Sequence, residues 1–423
     1  MAFSIRPVRE NANLRHGLTN HRATRHNPVL PAESAMPVIN RVAEFQREIA
    51  GWRQDFHRNP ELQYDVHRTA GRVAELLRSF GADEVVTGIG RTGVVAVIKG
   101  RNGGAGRVMG LRADMDALPI TERTGKDYAS AVAGKMHACG HDGHTAMLLG
   151  AAKYLSETRN FEGTAVLIFQ PAEEGGAGGR AMLQDGLVER FGIEEFYGLH
   201  NMPGIPAGQF GIKPGGIMAA TDEFQITIEG EGGHAAMPHN TVDPVIVAAQ
   251  LILALQTIVS RNVDPMREAL LSVTMIEAGT AFNVIPRTVK LTGTVRTLDE
   301  GVRKFMEERI RAVTAGITGT FGATASIHYR NGYPVTVNSP GPTEFAAGVA
   351  RGITGASSVE ADGTMGGEDF AYMLQARPGA YIFLGNGDST ELHSDTYDFN
   401  DDIIPVGVSY WVKLVETAMP VSS

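Results

Sequence analysis

The sequence contains one cysteine, Cys139, among 423 residues. A single cysteine cannot form an internal disulfide, so a disulfide-stabilised scaffold is excluded and a cytoplasmic location is favoured. Acidic residues outnumber basic ones, and the formal net charge of −9 argues against nucleic acid as a partner. The most apolar long segment, residues 245–259, contains two glutamines and is too short to span a bilayer. We therefore expect a packed helix there and no membrane partner.

The first 36 residues differ from the rest of the chain, with five arginines, three histidines and no apolar run. A secretory signal needs an apolar stretch of about 7–15 residues, which is missing. We therefore expect residues 1–36 to be a disordered tail or an overlong start of the reading frame, with a transit peptide as the alternative. The remaining length exceeds one comfortable hydrophobic core, so we expect two domains.

Helical and strand patterns alternate through most of the chain. Apolar residues recur with helical spacing over residues 38–57, 66–80 and 145–155. Short apolar runs separated by turn residues predict buried strands at 93–98, 107–111, 164–169, 195–199 and 380–384. This alternation predicts an α/β fold, with a mostly parallel or mixed sheet flanked by helices.

Residues 219–331 have a different pattern. Apolar and polar residues alternate over 222–229, which is typical of a half-solvated antiparallel strand. The order strand-helix-strand-strand-helix-strand follows, as in ferredoxin-like domains, at 222–229, 244–261, 270–276, 289–296, 300–315 and 325–329. We predict an inserted α+β domain at 219–331 within a discontinuous catalytic domain that comprises residues 37–218 and 332–423.

Ionisable side chains follow several of the predicted strands. Asp114 follows the second strand, Glu173 and Glu174 the third, His200 the fourth, and His393 comes shortly after the last. Ligand sites in open α/β sheets lie outside the carboxyl ends of the strands. We therefore expect these side chains to meet at one edge of the sheet. Neighbouring residues of an extended backbone point in opposite directions, which would let Glu174 bind a metal while Glu173 faces the substrate.

Cys139 and His141 form a candidate metal site at the start of a predicted helix. A lone cysteine is more often a small buried residue, and isolated histidines are more often structural. The supply of Glu and His from the strand ends favours ligation instead, whereas His144 is expected to support the site without binding metal. Five ligands are too many for one tetrahedral zinc and suit two metals with a bridging group. The predicted ligands are Cys139, His141, Glu174, His200 and His393.

Eight short motifs together resemble one enzyme family. They are RADMDALP (112–119), MHACGHDGH (136–144), FQPAEEGG (169–176), GLHN (198–201), GGHAAMPH (232–239), FNVIP (282–286), GGEDF (366–370) and LHS (392–394). The chain resembles the aminoacylase and carboxypeptidase family of co-catalytic metallopeptidases. Within it, the match is to the amidohydrolase branch of hippurate hydrolases, N-acyl-amino-acid amidohydrolases and auxin-conjugate hydrolases. The resemblance spans about residues 38–415 and implies a zinc-peptidase-like sheet.

The resemblance also assigns roles to individual residues. It implies that Cys139 bridges two divalent ions, Zn²⁺ or Mn²⁺, and that Glu173 is the general base. Asp114 matches an aspartate that orients a histidine ligand two residues earlier, but Arg112 stands at that earlier position and cannot bind metal. The resemblance further implies a dimer formed through 219–331, in which His234 enters the partner's active site. Asn283 and Arg296 resemble residues that hold the substrate carboxylate, although a surface position on a strand explains Arg296 equally well.

These features predict hydrolysis of the amide bond of N-acyl amino acids, or of related small conjugates, by a metal-activated water. An aminopeptidase or dipeptidase on the same scaffold is the first alternative. It would need an acidic anchor for the free α-amino group, and the sequence does not identify one. A metal-binding protein without catalysis is the second alternative, against which the intact Glu173 and ligand set count.

Overall fold

The computed structural model describes residues 38–355 and 359–422. The predicted tail, residues 1–36, lies outside the described residues. The helices are α1 (Asn40–Arg58), α2 (His67–Ser79), α3 (His141–Thr158), α4 (Gly178–Gln184), α5 (Leu187–Phe191), α6 (Pro244–Thr257), α7 (Glu300–Thr320), α8 (Pro340–Thr354), α9 (Ala371–Ala376) and α10 (Ile404–Ala418).

Eight strands form the larger sheet, in the spatial order β1-β2-β4-β3-β5-β16-β6-β15. The four central strands β4, β3, β5 and β16 are mutually parallel, and antiparallel pairs flank them, so the sheet is mixed. The strands are β1 (Glu84–Ile89), β2 (Gly93–Lys99), β3 (Val108–Asp114), β4 (Thr164–Gln170), β5 (Glu195–Pro203), β6 (Phe210–Ile212), β15 (Val359–Glu360) and β16 (Gly379–Gly387).

Helices cover both faces of this sheet. Alternate residues of β4 enter two different cores, with Leu167 and Phe169 on one side and Val166 and Ile168 on the other. The first core contains the buried faces of α1, α2, α3, α8 and α10, and the second those of α4, α5 and α9. A sheet buried on both faces explains why its strands read as nearly continuous apolar runs. The predicted fold class is confirmed.

A second, four-stranded sheet has the antiparallel order β10-β12-β8-β13, formed by β8 (Ala220–Glu229), β10 (Ala269–Ala278), β12 (Thr288–Thr297) and β13 (Thr324–Asn331). Helices α6 and α7 pack on one face around Phe224, Ile226 and Leu251. The connectivity β8-α6-β10-β12-α7-β13 has the predicted ferredoxin-like order. Shorter pairs are formed by β7 (Gly215–Met218) with β14 (Thr336–Asn338), and by β9 (Gly233–His234) with β11 (Val284–Ile285).

The predicted helix at 244–261 is present as α6, which continues in a π-helical turn, Ile258–Asn262. Val247, Leu251 and Leu255 are buried against the four-stranded sheet and α7. Among the described residues, Pro244–Asn262 is the one helical segment long and apolar enough to cross a membrane by length and composition, and 33% of its most apolar 18-residue window is buried. Its inner face therefore serves as part of the core of this sheet.

The chain enters and leaves the four-stranded sheet at one place. The Thr221 N–H donates to the Tyr333 carbonyl at 3.0 Å, and the Tyr333 N–H donates to Thr221 Oγ1 at 2.9 Å. A Cβ at Gly332 would lie 1.8 Å from the Thr221 carbonyl oxygen, so only glycine permits this approach. The segment that enters the four-stranded sheet and the segment that leaves it are therefore hydrogen-bonded to each other beside the larger sheet.

Candidate active site

Several of the predicted site residues lie at the carboxyl ends of four neighbouring parallel strands. Asp114 ends β3, the Glu173 loop follows β4, and His200 lies in β5. His393 belongs to the loop after β16. A cavity of about 340 Å³ lies at this sheet edge, and its lining includes Cys139, Glu173, Glu174, His200, Thr221, Glu223, Arg296, Arg330, Tyr333, Glu368 and His393. The expectation that strand ends would deliver these groups to one sheet edge agrees with the structure.

Cys139 is shared by two groups of candidate ligands. In each group the ligand atoms lie within 4.8 Å of one another. The first consists of Cys139, His141 and His200, and the second of Cys139, Glu174 and His393. All five predicted ligands therefore meet, and the thiol is the atom that the two groups have in common.

Backbone carbonyls fix the orientation of two of the imidazoles. His141 Nδ1 lies 2.8 Å from the Asp116 carbonyl oxygen, and His200 Nδ1 lies 2.6 Å from that of Asn201. A carbonyl only accepts, so each Nδ1 carries the proton and each Nε2 presents a lone pair. His200 Nε2 lies 3.4 Å from Cys139 Sγ, and His141 Nε2 has no hydrogen-bond partner. Metal-ligating histidines show this arrangement.

His393 reaches the cavity from a loop with unusual backbone geometry. Its φ of 65° is in the left-handed region, and its N–H donates to the Ala138 carbonyl at 2.7 Å. This contact joins the loop to the segment that carries Cys139. His393 Nε2 lies 3.3 Å from Glu174 Oε1. Hydrogen bonding to Cys139 and Glu174 raises the pKa of His393 to about 10.

The donor set fits divalent metal ions. Burial raises the pKa of the Cys139 thiol, and the neighbouring charge of Glu174 adds to that rise. A thiolate at this position therefore needs a cation beside it. His141 Nε2 is a buried ligand atom without a hydrogen bond, so it is available to such a cation. One thiolate, three imidazoles and one carboxylate are ligands that suit zinc and also other transition metals.

Glu173 and Glu174 lie in a turn, and the prediction that they point in opposite directions is wrong. Residues 173–176 form the turn, and both carboxylates line the same cavity. Asp116 causes this geometry, because its two carboxylate oxygens accept the N–H groups of Glu173 at 2.9 Å and Glu174 at 3.1 Å. Burial raises the pKa of Glu173 well above its ordinary value, and the charges of Glu368, Glu174 and Asp369 add to the rise. Such a carboxylate is suited to accept a proton near neutral pH.

A second buried cluster lies directly behind the cavity, around Arg112. Its guanidinium donates to Asp114 at 2.8 Å, Glu368 at 2.9 Å and Asp369 at 3.0 Å, and also to Gln170 at 3.0 Å. The Tyr381 hydroxyl donates to Glu368. Burial raises the pKa of Asp369 to about 8 although Arg112 acts against that rise. We call Arg112, Asp114, Gln170, Glu368, Asp369 and Tyr381 the Arg112 cluster.

Asp114 and His144 join this cluster to the ligands. Asp114 Oδ1 lies 2.6 Å from His144 Nδ1, and Asp114 Oδ2 lies 3.6 Å from His141 Nε2. His144 Nε2 lies 2.7 Å from the side-chain oxygen of Asn201. Both ring nitrogens of His144 are thus already engaged within the chain, in keeping with the expected supporting role.

The remaining predicted residues divide into two groups. Arg296 lines the cavity and is half-buried. Its guanidinium donates to Thr294 Oγ1 and to the Val295 carbonyl, and it makes no ion pair with a carboxylate of the described residues. His234 and Asn283 do not line the cavity. They lie at the exposed β9–β11 pair, where the Ala235 N–H donates to the Asn283 carbonyl at 3.1 Å.

Several residues of the site were missed in the sequence. Asp116 stands two residues after Asp114, and no sequence pattern around it indicates that it holds the Glu173 turn. Glu368 lies in the GGEDF motif, to which no function was assigned. Glu223 and Arg330 lie in the four-stranded sheet, and Tyr333 follows its last strand in the chain. Only the three-dimensional fold brings these residues to the cavity.

Comparisons with known proteins agree with this geometry. The model of peptidase family M20/M25/M40 matches residues 110–417. Hippurate hydrolase of Campylobacter jejuni is 42% identical over 381 residues, which cover 90% of this chain and 98% of that protein. N-acetyl-L-cysteine deacetylase of Bacillus subtilis is 40% identical over 390 residues, covering 92% of each protein.

A solved structure extends the similarity to three dimensions. A dinuclear metal-binding peptidase of the M20 family from Bacillus subtilis matches with a TM-score of 0.80 and 35% sequence identity, covering 89% of this chain and 99% of that one. The family model and the relatives span the strands, loops and helices that carry the cavity. The resemblance inferred from the motifs is therefore confirmed, and the chain belongs to peptidase family M20/M25/M40 as a metal-dependent hydrolase that acts on amide bonds.

Proposed function

We propose that this protein hydrolyses the amide bond of N-acyl amino acids or related small conjugates. The observation that carries the proposal is the position of Glu173, whose raised-pKa carboxylate shares one cavity with two ligand groups joined by Cys139. The names of the relatives, a hippurate hydrolase and an N-acetyl-L-cysteine deacetylase, support this class of substrate.

Two divalent ions, Zn²⁺ or Mn²⁺, would be held by Cys139 as the shared ligand, with His141 and His200 on one side and Glu174 and His393 on the other. When bound, such ions lower the pKa of a coordinated water and polarise the substrate carbonyl. The ligands' own contacts prepare them for this task, because backbone carbonyls hold Nδ1 of His141 and His200. Sulfur and nitrogen donors favour zinc, whereas the carboxylate also suits manganese.

Glu173 would move the proton in both halves of the reaction. As general base it accepts a proton from the attacking water, and as general acid it returns that proton to the nitrogen of the departing amine. Its raised pKa keeps the protonated form accessible between the two transfers. Asp116 fixes the Glu173 backbone, so the carboxylate does not have to reorganise during the reaction.

Arg296 would bind the carboxylate of the amino-acid product. Its half-buried guanidinium faces the cavity and makes no ion pair with a carboxylate of the described residues, so it is available to an anionic substrate. A bidentate contact between guanidinium and carboxylate gives orientation as well as energy. Asn283 would contribute from the β9–β11 pair of a second subunit, since it does not line the cavity of its own chain.

A homodimer formed through residues 219–331 would supply both Asn283 and His234. Among the described residues, ten of the eleven large apolar side chains that are exposed lie in this segment, including Leu253, Met275, Ile276 and Phe282. Strand β10 is an edge of the four-stranded sheet, and α6 exposes Ile246 and Leu253 beside it. An exposed apolar surface next to an unpaired strand edge is a site of association. In the partner's cavity, His234 would stabilise the developing oxyanion.

Complementation between two inactive variants tests this arrangement. His234→Ala and Glu173→Gln are each expected to be inactive alone. Mixing them after dissociation and reassociation should restore about a quarter of the wild-type activity, because half of the dimers are mixed and each carries one intact site. Failure of the mixture to regain activity, with mixed dimers demonstrated by differential tagging, would contradict the exchange of His234.

Replacement of Glu173 tests the catalytic role directly. Glu173→Gln keeps the size of the side chain and should lower kcat for N-acetyl- and N-benzoyl-amino acids by about 10²- to 10⁴-fold. Metal analysis should still show two ions per subunit. Glu391→Gln makes the same change at an exposed position outside the cavity and should leave kcat unchanged. Full activity of Glu173→Gln would refute the assignment of the general base.

Glu223 gives the dipeptidase alternative a specific basis. Its carboxylate lines the cavity and lies 3.8 Å from Arg330, so it is the acidic anchor that a free α-amino group would need. Parallel assays with N-acetyl-methionine and the dipeptide glycyl-methionine separate the two functions. Faster hydrolysis of the acetylated substrate is expected, and preference for the dipeptide would favour the alternative.

We further propose that the enzyme works in the cytoplasm.

A further inference from the structure

The loop between β4 and α4, which carries Glu173, has a strained backbone. Ala172 and Ala177 both have φ of 57°, although neither is glycine. A non-glycine residue in the left-handed region is strained and persists only where its surroundings hold it. The position of Glu173 therefore depends on the side chains that bind the loop.

Residues before and within the larger sheet supply most of those contacts. Asp116 accepts the N–H groups of Glu173 and Glu174. Gln63 donates to the Glu174 carbonyl at 3.1 Å, and the Tyr64 hydroxyl donates to the Gly176 carbonyl at 2.7 Å. These contacts hold the loop to the connection between α1 and α2 and to the segment that follows β3.

One further contact comes from Tyr333, in the segment that follows β13 of the four-stranded sheet. The Tyr333 hydroxyl donates to the Glu173 carbonyl at 2.5 Å and accepts the Ala177 N–H at 3.1 Å. It thereby spans the loop from the general base to the second strained alanine. No other described side chain bonds both of these backbone groups.

Tyr333 is itself fixed to the start of β8, the first strand of the four-stranded sheet. Two hydrogen bonds join its backbone to Thr221, and the Gly332 N–H donates to Asp222 at 3.1 Å. Thr221 pairs with Arg296 across β8 and β12, and paired residues of antiparallel strands point to the same face. Both side chains line the cavity. The residue bound to the Glu173 loop is thus two contacts from the proposed substrate-binding arginine.

We propose that Tyr333 is a positioning residue that couples substrate binding at the four-stranded sheet to the placement of Glu173. Substrate held by Arg296 fixes the ends of β8 and β12, where Thr221 and Arg296 pair. The Tyr333 hydroxyl transmits this position to the Glu173 carbonyl. The inference rests on the proposed function, since it assigns Tyr333 a role in aligning the proposed general base. Tyr333 does not touch the reacting atoms.

Removal of one hydroxyl tests the coupling. Tyr333→Phe should lower kcat by about 10- to 100-fold, because a displacement of about 1 Å at a catalytic group has effects of that size. KM should stay within about twofold, since Arg296 remains in place. Two metals per subunit and an unchanged melting temperature should accompany the loss. Tyr372→Phe is the matched control. The Tyr372 hydroxyl donates to the carbonyl of Gly332, the residue before Tyr333, but does not contact the loop.

A double-mutant cycle separates coupling from a structural role. If Tyr333 relays the contact made by Arg296, the effects of Tyr333→Phe and Arg296→Ala on kcat/KM will be smaller together than their product. Tyr372→Phe and Arg296→Ala should combine multiplicatively. Multiplicative effects for both pairs, or equal kcat for the Tyr333 and Tyr372 variants, would overturn the inference.

The activity of Glu173→Gln, compared with that of Tyr333→Phe, distinguishes this inference from the proposed function. If Glu173→Gln were fully active, the general-base assignment would fail and Tyr333 could not act through it. If Glu173→Gln were inactive while Tyr333→Phe matched wild type, only the coupling would fail. A fall in metal content or melting temperature that accounts for the whole loss of activity in Tyr333→Phe would likewise overturn it.

Discussion

The cavity around Cys139 and the Arg112 cluster lie side by side, and they differ in whether their buried polar atoms have partners. In the cluster, the Arg112 guanidinium donates to three carboxylates and one amide within 3.0 Å. In the cavity, His141 Nε2 is buried without a hydrogen bond. A buried polar atom without a partner costs about 1–3 kcal/mol. The cavity is therefore completed by a ligand from outside the chain, whereas the cluster is complete in itself.

The same comparison explains why an arginine can stand at residue 112. A metal-binding site in this position would need a neutral imidazole, whereas Arg112 is a permanent cation surrounded by Asp114, Glu368 and Asp369. These carboxylates would otherwise repel one another and Glu173. Arg112 thus keeps acidic groups buried next to the cavity without a metal of their own.

The largest expected effect is loss of metal from Cys139→Ser. The thiol is common to both ligand groups, so its removal weakens both metal positions. Since changes to residues that only support a ligand cost about 10- to 100-fold in affinity, we expect more than 100-fold for Cys139. Isothermal titration with Zn²⁺ and Mn²⁺ measures this loss. Peroxide should also inactivate the wild type, because a thiolate is oxidised readily. Two tightly bound ions in the variant would contradict the bridging assignment.

Arg112→Met should destabilise the fold and leave the ligand set in place. Removal of the cation leaves Asp114, Glu368 and Asp369 buried without compensation, and breaking a buried ion pair costs about 3–5 kcal/mol in free energy of unfolding. Urea denaturation of the metal-free protein measures it. Arg68→Met removes a partly exposed pair with Asp55 and should cost at most about 1 kcal/mol. Equal losses for the two variants would show that the cluster is not a stabilising unit.

A second buried group of charged side chains predicts a pH dependence of stability. His57 Nδ1 lies 2.8 Å from Asp142 Oδ2 beneath the start of α3, and Nε2 lies 3.3 Å from Glu122. Burial lowers the pKa of His57, but the hydrogen bond and charge of Asp142 outweigh it and raise the pKa to about 9. Because the folded pKa exceeds the ordinary value of 6.5, this contribution is complete below pH 6.5 and disappears as pH rises through 9.

The size of this contribution follows from the shift. A pKa rise from 6.5 to about 9 corresponds to about 3 kcal/mol at most. The free energy of unfolding should therefore fall between pH 6.5 and 9.5 in the wild type, as measured by urea denaturation. His57→Gln should be less stable at pH 6.5 and should lose this part of the pH dependence. An identical slope in both proteins would show that other groups determine it.

The sequence supports the fold and the ligand set better than it supports the surroundings of the ligands. Strands β2 to β5 could be placed because a sheet buried on both faces leaves continuous apolar runs, and the ferredoxin-like order followed from the change in periodicity. Cys139, His141, Glu174, His200 and His393 could be chosen because strand ends converge at one sheet edge. Each of these inferences uses a local pattern.

Contacts between distant segments could not be inferred in the same way. The Glu173 turn differs from the expected extended segment because Asp116, 57 positions earlier, binds two successive N–H groups. Arg112 reaches Glu368 across 256 positions, and Tyr333 reaches Glu173 across 160. No periodicity or spacing records such pairs. The proposed contributions of His234 and Asn283 would depend in addition on a second subunit.

Asp114 gives the smallest and most discriminating prediction, because it belongs to both regions. It accepts a hydrogen bond from Arg112 in the cluster, and it lies 2.6 Å from His144 and 3.6 Å from His141 Nε2 beside the cavity. Asp114→Asn keeps the shape but removes the charge. If Asp114 supports the ligands electrostatically, metal affinity should fall about tenfold, which is roughly 1.4 kcal/mol.

The same variant distinguishes three roles for this residue. Unchanged metal affinity with a loss of unfolding free energy would make Asp114 only a counter-charge for Arg112. A loss of kcat with both metals bound would make it part of the catalytic machinery. A tenfold loss of metal affinity that excess Zn²⁺ or Mn²⁺ restores to full activity is the outcome we expect, because Asp114 contacts the residues that position the ligands and does not line the cavity.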